Sequence, residues 1–189
     1  MTYSVLFSIL FFSVCIISLV IAILVIKSNP KASANRCFLA LIISVNFWSA
    51  GLGAANIAHD VTSCELWRHF SAIGWGTAYA IILHFILIFT GHRTLLKKRW
   101  FYILLYLPAA ITLLAYAFPS NINPNRYQLV QTNFGWVNVS NISDYNLWDW
   151  IFLIYYIGYT VLGLVLILLW GLKSDDKKIK SHKLHRSFC

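Results

Sequence analysis

The stretch Val5–Ile26, VLFSILFFSVCIISLVIAILVI, is followed at once by Lys27–Arg36, KSNPKASANR. No charge interrupts the first, and three cations, Lys27, Lys31 and Arg36, fall in the second. About 20 mostly apolar residues in a helix cross the roughly 30 Å hydrocarbon core of a bilayer. Only a helix or a closed barrel bonds its own backbone groups where lipid offers no partner. The pattern predicts a spanning helix closed by a short basic turn starting at Asn29-Pro30.

The same alternation recurs along the chain. Four more stretches read as spanning helices, at approximately Cys37–Ala58, Phe70–Thr90, Trp100–Phe118 and Asp149–Leu172; apart from Asp149 at one boundary, none carries Asp, Glu, Lys or Arg. With 59% apolar and 11% charged residues in 189, the chain has more oily surface than one soluble core could bury. The expected fold is all-α: an integral membrane bundle of about five transmembrane helices over residues 1–172, an outer loop over 119–148, and a basic tail over 173–189.

Thirteen of the fifteen Lys and Arg lie in the turn after the first helix, the turn after the third and the tail, leaving Arg68 and Arg126 for the other face. The positive-inside rule then puts the N-terminus outside and the tail in the cytoplasm. Trp67, Trp75, Trp148 and Trp150 fall near the outer interface, with Trp100 and Trp170 near the inner one. The net charge of +9 is confined to these short connections, which argues against a nucleic-acid partner. A cleaved signal peptide is the other reading of the first segment; a leader without positive charge and cations placed after the apolar run favour a retained helix. On this topology only Cys64 faces the oxidising side, so Cys15, Cys37, Cys64 and Cys189 form no disulfide framework.

The outer loop contains Tyr127–Ser140, alternating about Asn133–Gly135 as a small hairpin does. It reads as an ordered cap over the bundle or as a lid gating a ligand. Asn138-Val-Ser140 and Asn141-Ile-Ser143 match the glycosylation triplet, a pattern common by chance.

Within the spans, Asn46, Ser49, Gly53 and Asn56 share one face of the second helix, and Gly74, Thr77, Ile81 and His84 one face of the third. The fifth carries Tyr155, Tyr156 and Tyr159 with Gly163 a turn on, so these three helices are expected to share the interior. His84 is the one ionisable side chain well inside a span; it reads either as a functional group or as a neutral imidazole bonded across helices to Asn46 or a tyrosine. A proton relay normally needs an intramembrane carboxylate or second histidine, which the five spans lack. His59, Asp60, Glu65, Arg68 and His69 read as a solvated interfacial loop, with Arg68 free to snorkel toward the headgroups. Neither a nucleophile elbow, a phosphate-binding glycine loop, paired carboxylates nor a His-Glu-x-x-His motif occurs.

These residues also carry a resemblance. Asn35-Arg36-Cys-Phe-Leu-Ala-Leu, Asn46-Phe-Trp48-Ser-Ala-Gly51, and Leu66-Trp67-Arg68 leading to Ile73-Gly74 are similar to the N-terminal seven-helix membrane region of bacterial sensor histidine kinases. So are Leu83-His84-Phe85, Phe89-Thr90-Gly91-His-Arg93 and Tyr155-Tyr156-Ile-Gly-Tyr159 with Gly163. The resemblance runs from about residue 20 to 180. It implies a sensory input module of a two-component system in the bacterial cytoplasmic membrane, with an outer loop between the fourth and fifth helices. Where that family continues with two more helices and cytoplasmic domains, this chain has the basic run Lys173–Arg186 and Ser187-Phe188-Cys189. The expectation is a truncated member without its own kinase activity.

The expected function is a receptor region binding a small or membrane-soluble signal in the outer half of the bundle, with Asn46, Asn56, Arg68, Thr77, His84 and Tyr159 as candidate site residues. In that picture the pairing of His84 with Asn46 distinguishes two bundle arrangements. No catalytic residue, metal or cofactor is expected; the partners are the bilayer and the signal, and a homodimer stays open. A small oligomeric transporter or channel subunit and a purely structural membrane protein are the competing readings. Lys177, Lys178, Lys180 and Lys183 are candidates for contact with anionic lipid.

Overall fold

Charge gaps and turn chemistry become five long helices in the computed structural model, which describes residues 3–118, 122–124 and 126–186. Helix α1 runs Tyr3–Ser28 and α2 Ser33–Asn56. The turn between them is built by two asparagines. Asn29 Oδ1 accepts from the backbone N–H groups of Lys31 and Ala32, each at 3.2 Å, while Asn35 Nδ2 donates to the carbonyls of Val25 and Asn29 at 2.9 and 3.1 Å. Carbonyls orphaned at the end of α1 thus find donors from the start of α2.

Helix α3 runs Val61–Phe89, nine residues longer at its outer end than the expected span. Asp60 caps it, its carboxylate accepting from Ser63 N at 2.8 Å. At 1.5 Å per residue its 29 residues measure about 43 Å, so the outer turns project beyond the hydrocarbon core. Glu65, Arg68 and His69 therefore stand on a helix, with His69 and Cys64 buried, rather than in a solvated loop. At the inner end Gly91, at φ +83°, closes a Schellman motif: His92 N donates to Leu87 O at 2.9 Å and Gly91 N to Ile88 O at 3.3 Å. The short helix α4, Arg93–Leu96, leads into α5, Arg99–Tyr116.

Strands β1, Leu129–Thr132, and β2, Gly135–Asn138, form the hairpin at the expected place, with Thr132 opposite Gly135. Helix α6, Leu147–Arg186, starts at Asn146, whose side chain accepts from Trp148 N and Asp149 N while Asp149 returns a carboxylate to Asn146 N at 2.9 Å. It continues as one helix past residue 172, so no break separates the last span from the tail. The side chains of Lys177, Lys178, Lys180 and Lys183, and the whole of Cys189, lie outside the described residues.

Helix α3 is the centre of the bundle, with α2 on one side, α5 and α6 on the other, and α1 outermost against α2. Small residues let α2 and α3 approach closely. A Cβ on Gly51 would meet Ser71, one on Gly74 would meet the backbone of Ser44 and Trp48, and Ser44 Oγ donates to Gly74 O at 2.7 Å. The face of α2 with Asn46 and Gly53 turns the other way, onto α1: Ser8 Oγ donates to Gly53 O at 2.7 Å and Asn46 Nδ2 to Ser18 Oγ at 2.9 Å. Of the three helices expected to share the interior, α3 is the central one, with α2 and α6 each packed against it. Exposed apolar side chains dominate α1 and α6, as a lipid environment requires.

Candidate functional site

Between the outer halves of α2, α3, α5 and α6 lies a cavity of about 450 Å³, within the range of small-molecule sites. Two helices supply its principal walls. On α3, Arg68, Ser71, Trp75 and Tyr79 follow at steps of three, four and four, one face of a helix. On α6, Asp149, Phe152, Leu153 and Tyr156, at i, i+3, i+4 and i+7, also share one face. In both, the charged residue stands at the outer end and the aromatic residues lie deeper.

The aromatic wall is continuous. Trp75 meets Phe152 edge-on with centroids 4.7 Å apart, Tyr79 meets Tyr156 at 4.8 Å, and Phe152 stacks with Tyr156 at 6.2 Å. Tyr116, on the last turn of α5, donates its hydroxyl to Asp149 and so ties α5 to α6 at the cavity rim.

The loop roofs this space. Tyr127 OH donates to the carbonyls of Arg68 and Tyr116, both at 3.2 Å, and its burial pushes the phenol pKa up. His69 Nδ1 donates to the Tyr116 carbonyl at 2.7 Å, satisfying a helix-end acceptor, and its Nε2 lies 3.4 Å from Glu65. Glu65 also stands 3.8 Å from Arg126 Nε. The hairpin is clamped to the helix ends at three points. Arg68 Nη2 donates to Trp136 O at 2.6 Å, Trp136 Nε1 donates to Ala58 O at 2.9 Å, and Phe134 packs on Tyr3 and Phe7.

Of the six candidate residues, Arg68 alone lines the cavity. Asn56 lies under the hairpin, beside Gly135. Asn46 is bonded to α1, and Thr77 Oγ1 lies 2.9 Å from Ser44 Oγ at the α2–α3 contact. His84 shares a 2.8 Å hydrogen bond with the Tyr106 hydroxyl and meets the ring of Tyr102 edge-on. Its partner is thus a tyrosine of α5, while Asn46 faces the opposite side of the bundle. Tyr159 donates to the carbonyls of Leu104 and Leu105. The cavity residues passed over in the sequence, above all Asp149, Trp75 and Tyr156, carry a signal of their own: polar-to-aromatic gradients at helical spacing on α3 and α6.

The chemistry on offer is recognition. Aromatic faces, the Arg68 guanidinium without an ion-pair partner among the described residues, and the carboxylates of Asp144 and Asp149 suit binding; among the described residues no group of three or more His, Cys, Asp or Glu is placed to hold a metal ion.

One further arrangement bears on motion. The Tyr155 hydroxyl of α6 accepts from Ala80 N at 2.9 Å and donates to Gly76 O at 3.1 Å. Those two backbone groups are an i, i−4 pair of α3, the pair that bonds directly in an uninterrupted α-helix. A hydroxyl bonded to both groups couples the two helices there.

No curated protein and no solved structure matches the chain. A family model described as the N-terminal 7TM region of histidine kinase matches residues 9–186. With the match reaching from α1 to the end of α6, the chain belongs to the family of N-terminal 7TM regions of histidine kinases.

Proposed function

We propose that this chain is the sensory input region of a two-component signalling protein, that the outer cavity holds its signal, and that α6 carries the response across the membrane. The observation that supports it most is the course of α6. Its first turn supplies Asp149 to the cavity rim, its second and third supply Phe152 and Tyr156 to the wall, and Tyr155 beside them enters the hydrogen-bond ladder of α3. The helix then continues to Arg186, 40 residues or about 60 Å in all. On this reading the hairpin faces outside, the basic end of α6 is cytoplasmic, and the membrane is the bacterial cytoplasmic one.

A signal acts only if it binds two arrangements of the bundle unequally. Filling the cavity covalently imitates such a signal. Spin labels on the exposed inner positions Ile103 of α5 and Leu172 of α6, in a background with the native cysteines replaced, report the spacing of the two helices. Leu153→Trp, which adds bulk at the wall, is expected to shift that distance distribution by about an ångström or more. An unchanged distribution in a folded variant overturns the coupling.

A further inference from the structure

Resting on the reading of the cavity as the signal site, we infer that its ligand is a small zwitterion with an apolar tail: an ammonium and an acid group at one end, a hydrophobic or aromatic portion at the other.

The argument begins with two charges. Arg68 has no carboxylate within ion-pair distance among the described residues, and its Nε is buried without a hydrogen-bond partner, while Nη2 donates to the Trp136 carbonyl at 2.6 Å. Asp149 likewise has no Lys, Arg or His within ion-pair distance among the described residues, its oxygens being taken by the Tyr116 hydroxyl and the Asn146 amide. Both line one cavity, from different helices. Of the other charges on the lining, Arg126 is balanced by Glu65 at 3.8 Å, and Asp144 is exposed to solvent and accepts from the Ser143 hydroxyl at 3.2 Å.

Partly desolvated charges without counter-charges are costly, and a ligand that compensates only one leaves the other exposed to that cost. A ligand carrying both signs compensates both at once. Its acid group would reach the open guanidinium edge of Arg68, where charge-assisted hydrogen bonds are strong. Its ammonium would face Asp149, with aromatic faces nearby to favour a cation.

Depth decides the rest. Below Arg68 the α3 wall passes to Trp75 and Tyr79, and below Asp149 the α6 wall passes to Phe152 and Tyr156. The charged end of the ligand is therefore outward and its apolar end inward. Two sources share this chemistry: an amphipathic amino acid from outside, and the ethanolamine phosphate headgroup of an outer-leaflet lipid.

Isothermal titration of the full chain in phosphatidylglycerol nanodiscs tests both. In the first arm phenylalanine is compared with phenylalaninamide, which lacks the acid, and 3-phenylpropionate, which lacks the amine. In the second, lysophosphatidylethanolamine is compared with lysophosphatidylglycerol. The zwitterion in one arm is expected to bind at least about tenfold more tightly than its singly charged analogues, and the arm that responds identifies the source. Arg68→Gln, which also releases the hairpin clamp, should weaken phenylalanine about tenfold more than it weakens phenylalaninamide, and Asp149→Asn should weaken phenylalanine about tenfold more than it weakens 3-phenylpropionate. In the lipid arm, both variants should remove the preference for ethanolamine. Circular dichroism of each variant confirms that the helices remain. Singly charged probes binding as tightly as the zwitterions, or no zwitterion binding in a manner that depends on both residues, overturns the inference. A shift of the Ile103–Leu172 distance in Leu153→Trp would still stand in that case, so the ligand class and the coupling of α6 fail separately.

Discussion

Tyr159 on α6 donates its hydroxyl to the Leu104 carbonyl on α5 at 3.1 Å, and that carbonyl is the one deprived of its helical donor by Pro108, four residues on. Proline lacks the N–H that would have bonded it. An orphaned carbonyl in the hydrocarbon region needs another donor, and the neighbouring helix supplies one.

This pairing predicts a non-additive cycle. Tyr159→Phe should destabilise the bundle by about 0.6 kcal/mol, and by no more than about 1.7, the span measured for hydrogen bonds between membrane helices. In a Pro108→Ala background, where an alanine N–H returns to Leu104, the same substitution should cost much less. Reversible unfolding in bicelles measures both, and equal costs in the two backgrounds would remove the assigned role of Tyr159.

Tyr155→Phe removes the hydroxyl that bonds Ala80 N and Gly76 O of α3. The expected outcome is altered amide exchange at Ala80, localised there, with the helix content of the whole chain unchanged. Exchange at Ala80 identical to that of the parent would show that the hydroxyl contributes nothing to the ladder.

Gly135 holds φ at +106° immediately after the Asn133-Phe134 turn, and a Cβ there would lie 2.9 Å from the Asn56 carbonyl oxygen. Gly135→Ala is both strained and crowded, so it should loosen the hairpin by about 1 kcal/mol or more. Faster proteolysis between β1 and β2 is the readout. Arg68→Gln, which loses a guanidinium from the same clamp, should act in the same direction.

Asp60 caps α3 from a fully exposed position, and hydrogen bonds from the Ser63 backbone and hydroxyl hold its carboxyl below the usual carboxylate range. A depressed folded value means that the cap is fully effective above the unfolded carboxyl value of about 3.9 and is lost as pH falls through the folded one. Exchange protection of the Ser63 amide should fall on acidification in the parent chain. In Asp60→Asn, which caps without titrating, it should stay level.

Some of this was legible in the residues. Asn133–Gly135 between alternating strands marks the hairpin because its turn chemistry is local. Arg68 stood out because it is one of two cations on the outer side. Asp149 read as a boundary because a carboxylate at the edge of an apolar run looks the same whether it meets solvent or a cavity. His84 could be assigned a tyrosine partner by type, but nothing in the sequence selected Tyr106.

What the chain decides alone is one-dimensional: where oily runs are long enough to span, and which connections are cationic enough to be held inside. A bilayer imposes both through the cost of unpaired backbone groups and the asymmetry of charge. The choice of α3 as the central helix, the bonding of the Tyr155 hydroxyl to its backbone, and the placing of Arg68 and Asp149 on one cavity belong to the tertiary structure. In lipid every helix is apolar on all sides, so hydrophobicity does not say which face meets which neighbour. Close backbone approach at Gly51 and Gly74 and the hydroxyls of Tyr116, Tyr155 and Tyr159 decide it.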